Sequence, residues 1–185
     1  GFSSVMHMGY VFLGIASGNL IGLSGATVLM FGHGLSIAIL LAINGLIRES
    51  EETTAMDRLG GLMKKAPLVG VVFAFATFAS IGLPGFANFS GETLVFFGAF
   101  KASGKSFIQG ATFVGLWGVV ISAVYMLRAY RNVFLGETRE GTRLESPTFG
   151  QHWPLLLLTA SLLIAGILPN SLLNIVKPTL QTLIR

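Results

Sequence analysis

Three features of this 185-residue sequence predict an all-α polytopic membrane protein. Hydrophobic residues make up 52% and charged residues only 11%, against roughly 25% charged in a soluble domain. Apolar stretches long enough to cross a bilayer recur along the chain, separated by short polar segments. Gly is very frequent, with 24 residues, and Phe abundant, with 15, as expected where transmembrane helices pack closely. Cysteine is absent, which excludes disulfides, Cys-ligated zinc and iron–sulfur clusters on this chain. The formal net charge of +4 sits mostly in loops, where it reports orientation and not nucleic-acid binding.

About five spans are expected in one membrane domain, near 1–18, 26–47, 67–102, 107–133 and 154–168. The chain opens at Gly1, without Met, directly in an apolar segment. It lacks a basic n-region and a small-residue cleavage site, so it reads as the C-terminal part of a longer protein without a signal peptide. The first span carries His7, and Gly14, Gly18 and Gly22 recur at the spacing that lets a neighbouring backbone approach. The second carries His33 between Gly32 and Gly34 and ends at Arg48. A polar connector of mixed charge runs from Glu49 to Lys65 and reads as solvated.

The third span is the unusual one. The stretch Gly82-Leu-Pro-Gly-Phe-Ala-Asn-Phe-Ser-Gly-Glu92 interrupts it, and Gly82, Pro84, Gly85 and Gly91 are poor helix-interior residues. The flanking pieces, roughly 67–81 and 92–102, are each too short at ~1.5 Å per residue to cross a ~30 Å core. One discontinuous span is therefore expected, with residues 82–91 non-helical and Glu92 opening the second half. Open backbone at membrane depth survives only inside protein or beside water. A fourth span ends in Tyr125, Arg128, Tyr130 and Arg131, an interfacial belt of aromatic and snorkelling basic residues. After a second polar loop and a short fifth span, residues 170–185 form an amphipathic tail expected at the interface. Five spans put eight Lys/Arg on the side of the two long loops, and four (Lys101, Lys105, Lys177 and Arg185) opposite. The positive-inside rule then places those loops in the cytoplasm.

No dinucleotide-binding turn, phosphate-binding loop or zinc-binding helix motif occurs. What remains is a sparse set of protonatable groups on three spans: His7, His33 and Glu92. Ionisable residues in transmembrane segments mark functional sites by default. Desolvation favours the neutral form of both residue types, which suits groups that must take up and release a proton. The plainer alternative is that Glu92 caps the second half-helix, a carboxylate being favourable at a helix N-terminus. His33 fits a structural role equally.

Three motifs in register, Phe2-Ser-Ser-Val-Met-His-Met-Gly9, Phe31-Gly-His-Gly34 and Leu83-Pro-Gly-Phe-Ala-Asn-Phe-Ser-Gly-Glu92, resemble the antiporter-like proton-pumping membrane subunits of respiratory complex I. The likeness covers essentially the whole chain. It implies that His7 and His33 are the family's central-axis histidines and that Glu92 is the terminal protonatable residue on the discontinuous helix. Other antiporter-like subunits carry Lys at that position, so the Glu narrows the resemblance to one of them. The resemblance further implies proton translocation within an NADH:quinone oxidoreductase of a bacterial or organellar inner membrane. Other membrane subunits, the lipid bilayer, protons and internal water would be its partners. No cofactor or metal is expected on this chain, with flavin, iron–sulfur clusters and quinone on partner subunits. A sodium/proton antiporter or membrane-bound hydrogenase subunit is the alternative. The family's buried lysine and its Glu–Lys pair would lie upstream.

Overall fold

The computed structural model describes residues 1–102, 106–139, 141–145 and 148–183. All regular structure among them is helical: α1 (Phe2–Ala16), α2 (Leu20–Glu51), α3 (Leu62–Lys65), α4 (Pro67–Ile81), α5 (Ala87–Phe100), α6 (Ser106–Phe134), α7 (Phe149–Ile167) and α8 (Pro169–Leu183). By length and composition α2 and α6 can each cross a bilayer, and the apolar pair α7 and α8 is bent by 74° between its halves.

The joint between α1 and α2 is tighter than the sequence suggests. Gly18 is not part of a helical stripe; it turns the chain at φ +65°, a conformation open to Gly without steric cost. Asn19 then caps α2, its Oδ1 accepting from Gly22 N at 3.0 Å while its Nδ2 donates to Gly98 O of α5 at 2.7 Å. That cap is why α2 starts at Leu20 and not at Ala26; at its other end the helix continues past Arg48 to Glu51. Gly14 and Gly22 do what their spacing implies: a Cβ on Gly14 would press on the Gly22 carbonyl.

α2 and α5 run antiparallel and pack in a ladder of small residues. Gly98 faces Gly22, Gly25 faces Leu94 and Val95, Gly91 faces Leu29, and Gly32 faces Ala87 and Asn88. At each rung the missing Cβ lets one backbone approach the other. In a bilayer the gain is dispersion and close backbone contact, because the lipid is as apolar as the side chains. A larger apolar core lies between α2, α4, α6 and α7, with Ile39, Ile43, Val69, Val72, Phe134 and Leu162 buried in it.

The expected helix break after Ile81 is present but shorter than expected. α4 spans Pro67–Ile81 and closes on Gly82, which takes φ +78° while Gly82 N donates to Ala79 O and Leu83 N to Phe78 O. This is a Schellman-type stop. Gly85 provides the second left-handed turn at φ +99°, and Pro84 between them has no amide hydrogen to place. The helix resumes at Ala87. Gly91 is therefore helical, a correction: its lack of a side chain serves contact with the backbone of Leu29, not the break. Gly166 of α7 lies against Gly85 and Phe86, so protein covers that part of the opened backbone.

Both long connectors meet at one end of the bundle. Glu51 Oε1 accepts from Arg143 N (3.0 Å) and Leu144 N (2.7 Å), and Thr138 Oγ1 donates to Gly61 O. Leu59, Leu62 and Leu144 are buried there. The connectors are thus interlocked, although most of their charges are exposed as expected. Of the residues in the charge count above, Lys105 and Arg185 lie outside the described residues. α7 begins upstream of Pro154, earlier than the expected fifth span. The expected tail is a helix, α8, with Leu173 and Leu180 buried on one side and Ile175 exposed on the other.

Candidate functional site

His7, His33 and Glu92 come from three different helices and meet inside the bundle. The antiparallel pairing of α2 with α1 and α5 brings them to similar depth, near the middle of α2. All three are buried, at 0%, 6% and 4% exposure. His7 Nε2 lies 3.2 Å from Glu92 Oε1. The His33 ring stacks on that of His7, centroids 4.6 Å apart and planes within 18°. Away from the stack, His33 Nε2 reaches Ser4 Oγ at 3.1 Å.

The contacts fix the chemistry of His7. Its Nδ1 is 2.8 Å from the Ser3 backbone carbonyl, which can only accept, so Nδ1 carries a hydrogen and donates it. Ser3 Oγ stands at 3.3 Å from the same nitrogen. Nε2 is left as the exchangeable position, and it faces a carboxyl oxygen. Two lone pairs at 3.2 Å repel each other, so the favourable arrangements hold a proton on Nε2 or on the carboxyl. The pair sits at ion-pair distance but off hydrogen-bond alignment, and neither atom has another hydrogen-bond partner among the described residues.

Glu92 stands where the break leaves room. A Cβ on Gly82 would collide with its Oε2, so the carboxyl occupies the space that a side chain at the end of α4 would fill. The capping alternative for Glu92 is thereby corrected. No acidic residue lies in the first turn of α5, whose N-cap is Phe86, and Glu92 sits a turn further in. Its carboxyl adjoins the C-terminal end of α4, the end with the opposite dipole sign from the one a cap would use.

Sequence reasoning missed Tyr10, Ser3, Asn88 and its partner Ser36. Tyr10 closes one side, its ring edge-on to His7 at 6.1 Å and its hydroxyl donating to Gly115 O of α6 at 2.9 Å. Ser3 sets the His7 tautomer. Asn88 is buried one turn before Glu92, and its Nδ2 donates to Ser36 Oγ at 3.3 Å. The i to i+4 spacing of Ser3 with His7, and of Asn88 with Glu92, was available in the sequence as a sign of a shared helix face. No group of three or more His, Asp and Glu able to hold a metal ion occurs among the described residues.

Residues 1–122 match the family described as NADH:quinone oxidoreductase/Mrp antiporter, transmembrane. The chain belongs to this family. It is 35% identical over 191 aligned residues to NADH-quinone oxidoreductase subunit M of Rickettsia felis, an alignment covering 99% of this chain and 36% of that protein. Against NAD(P)H-quinone oxidoreductase chain 4 of a Synechococcus strain it is 38% identical, covering 78% of this chain and 28% of the relative. Among solved structures it resembles a chain of respiratory complex I from Thermus thermophilus, at TM-score 0.84 and 30% identity, over 96% of this chain and 36% of that one. A chain of the Mrp complex from Dietzia shares the fold at TM-score 0.82 and 22% identity, over 93% of this chain and 40% of that one. The chain therefore spans about a third of the length of these relatives. Membership confirms the expected resemblance, an antiporter-like helical membrane protein.

Proposed function

We propose that this chain translocates protons as part of an antiporter-like subunit of a membrane NADH:quinone oxidoreductase, with His7, His33 and Glu92 as a relay. The observation that carries this reading is the His7–Glu92 contact at 3.2 Å beneath the stacked His33 ring. Nδ1 of His7 is engaged by Ser3, so proton exchange uses Nε2, which stands 3.2 Å from the carboxyl. A proton passes between them by a small shift, with no rearrangement of the helices.

The stack makes the relay sequential. Two cations 4.6 Å apart would repel by about 4 kcal/mol at an effective dielectric constant of ~20. His7 and His33 therefore do not both hold an extra proton at moderate cost. When Glu92 takes the proton from His7, His7 becomes free to receive one from the His33 side. Gaps between rings and carboxyl that exceed hydrogen-bond reach are bridged by internal water.

In this reading the single membrane domain crosses the bilayer five times: α1, α2, the broken pair α4 and α5, α6, and α7. α8 lies at the interface. The interlocked connectors at the α2 C-terminus form the positive, cytoplasmic end in a bacterial or organellar inner membrane. Electron transfer, with its flavin, iron–sulfur clusters and quinone, belongs to partner subunits, and this chain's residues hold and move protons only.

Likeness to an Mrp complex supports a second reading, a sodium/proton antiporter subunit driven by ion gradients. Purification of the native complex separates the two. Copurification with flavin- and iron–sulfur-containing subunits, with vesicle acidification driven by NADH, supports the first. A complex without redox centres that acidifies vesicles only under a sodium gradient refutes it.

A further inference from the structure

We propose that Asn88 is a positioning residue for Glu92: it seats the second half of the broken span on α2 and so aims the carboxyl at His7. The inference rests on the relay reading above and names a residue that the relay itself does not use.

Asn88 is fully buried, one helical turn before Glu92 on the same face of α5. Its amide is packed against α2 and bonds to it through Nδ2. Ser36 Oγ gives its hydrogen to His33 O at 3.1 Å, so it can only accept from Asn88, and this fixes Nδ2 as the atom that faces it at 3.3 Å. Oδ1 then faces Gly32, where a Cβ would stand 2.6 Å away, and has no hydrogen-bond partner among the described residues. The amide thus straddles His33, touching the residue before it and bonding the hydroxyl three residues after it. The Ser36 bond and the close fit against Gly32 together define the seat of this amide.

That seat sets the rotation of α5. The helix has no side-chain N-cap, since Phe86 makes no cap hydrogen bond, and the chain before it is a two-glycine turn. The Asn88–Ser36 bond is the polar contact nearest its start among the described residues. Residues four apart share a face, so a rotation that moves Asn88 off Ser36 carries Glu92 off His7 by a similar angle. The positioning chain is continuous: Asn88 holds Ser36, Ser36 holds the His33 carbonyl, and the His33 ring stacks on His7.

The experiment uses the assembled complex in proteoliposomes with proton uptake as the readout, comparing Asn88→Ala, Glu92→Gln and the double variant. Asn88→Ala is expected to assemble and to lower uptake about threefold to tenfold, the scale of one buried hydrogen bond. In the Glu92→Gln background the same change should add no further loss, because its effect passes through Glu92. Infrared difference spectra give a readout that general loosening does not move: the Glu92 carboxyl bands, identified by their loss in Glu92→Gln, should shift in Asn88→Ala. Ser36→Ala should reproduce the uptake and infrared effects while leaving Asn88 in place, and it decides the matter if Asn88→Ala fails to assemble. Ser36→Thr, which keeps the hydroxyl, should restore both. Parent-level uptake with unshifted bands in Asn88→Ala, or a loss of equal size in both backgrounds, overturns the positioning role and leaves the relay standing. Parent-level uptake in Glu92→Gln overturns the relay itself.

Discussion

Replacing Gly82 by Ala should disable the relay without touching a protonatable group. At φ +78° the backbone is left-handed, which costs a non-glycine residue about 1–2 kcal/mol. The new methyl would also enter the space of the Glu92 carboxyl. The carboxyl must leave, and with it goes its 3.2 Å approach to His7, raising the transfer barrier by about 1.5–3 kcal/mol. If that contact is the proton-transferring geometry, uptake falls about tenfold to a hundredfold. Gly85→Ala is the matched control. Its φ of +99° imposes the same kind of backbone strain, but nothing lies within 4 Å of the added methyl. The assay is proton uptake by proteoliposomes containing the whole complex, with assembly checked by native gel. Gly82→Ala should assemble about as well as Gly85→Ala and pump far less. Equal uptake by the two variants would show that the room left beside Gly82 is not needed by the carboxyl.

Other outcomes follow from the packing. Gly91→Ala places a methyl 2.6–2.7 Å from Leu29 backbone atoms; α5 should separate from α2 at a cost of about 1–3 kcal/mol, read as a lower melting temperature of the assembled complex. Asn19→Ala removes both the α2 cap and the bond to Gly98 O; about 0.5–2 kcal/mol should be lost from the cap alone, measured the same way. Glu51→Ala should free the 135–145 connector and speed its cleavage by added protease, since Glu51 accepts two backbone hydrogens from it. Arg143→Ala should leave cleavage unchanged, because its ion pair with Glu52 is exposed at both ends.

Much of the architecture was legible because membrane sequences have few options. Long apolar runs must be helices, and the Gly82-Leu-Pro-Gly85 run must open one of them, which is why α4 and α6 match their expected bounds so closely. Where expectation and structure part, side-chain contacts decide. Gly91 reads as a breaker in isolation, yet the same missing Cβ serves a helix–helix contact, and only the position of Leu29 tells the two uses apart. The early start of α2 depends on Asn19 bonding to a carbonyl 79 residues away. Of the site, His7, His33 and Glu92 stood out because charge is rare at membrane depth. Ser3, Ser36 and Asn88 did not, because Ser and Asn are ordinary in transmembrane helices, and their part is defined by which atoms they meet across the bundle.

Glu92→Gln tests the central claim most directly. The amide keeps the volume of the carboxyl and can still hydrogen-bond to His7 Nε2, but it cannot ionise. Assembly should therefore match the parent on a native gel. Proton uptake by proteoliposomes of the complex should fall at least about tenfold, on the scale of losing a positioned acid–base group, and quinone reduction should slow with it if the two are coupled. An assembled Glu92→Gln complex that takes up protons at the parent rate would contradict the account.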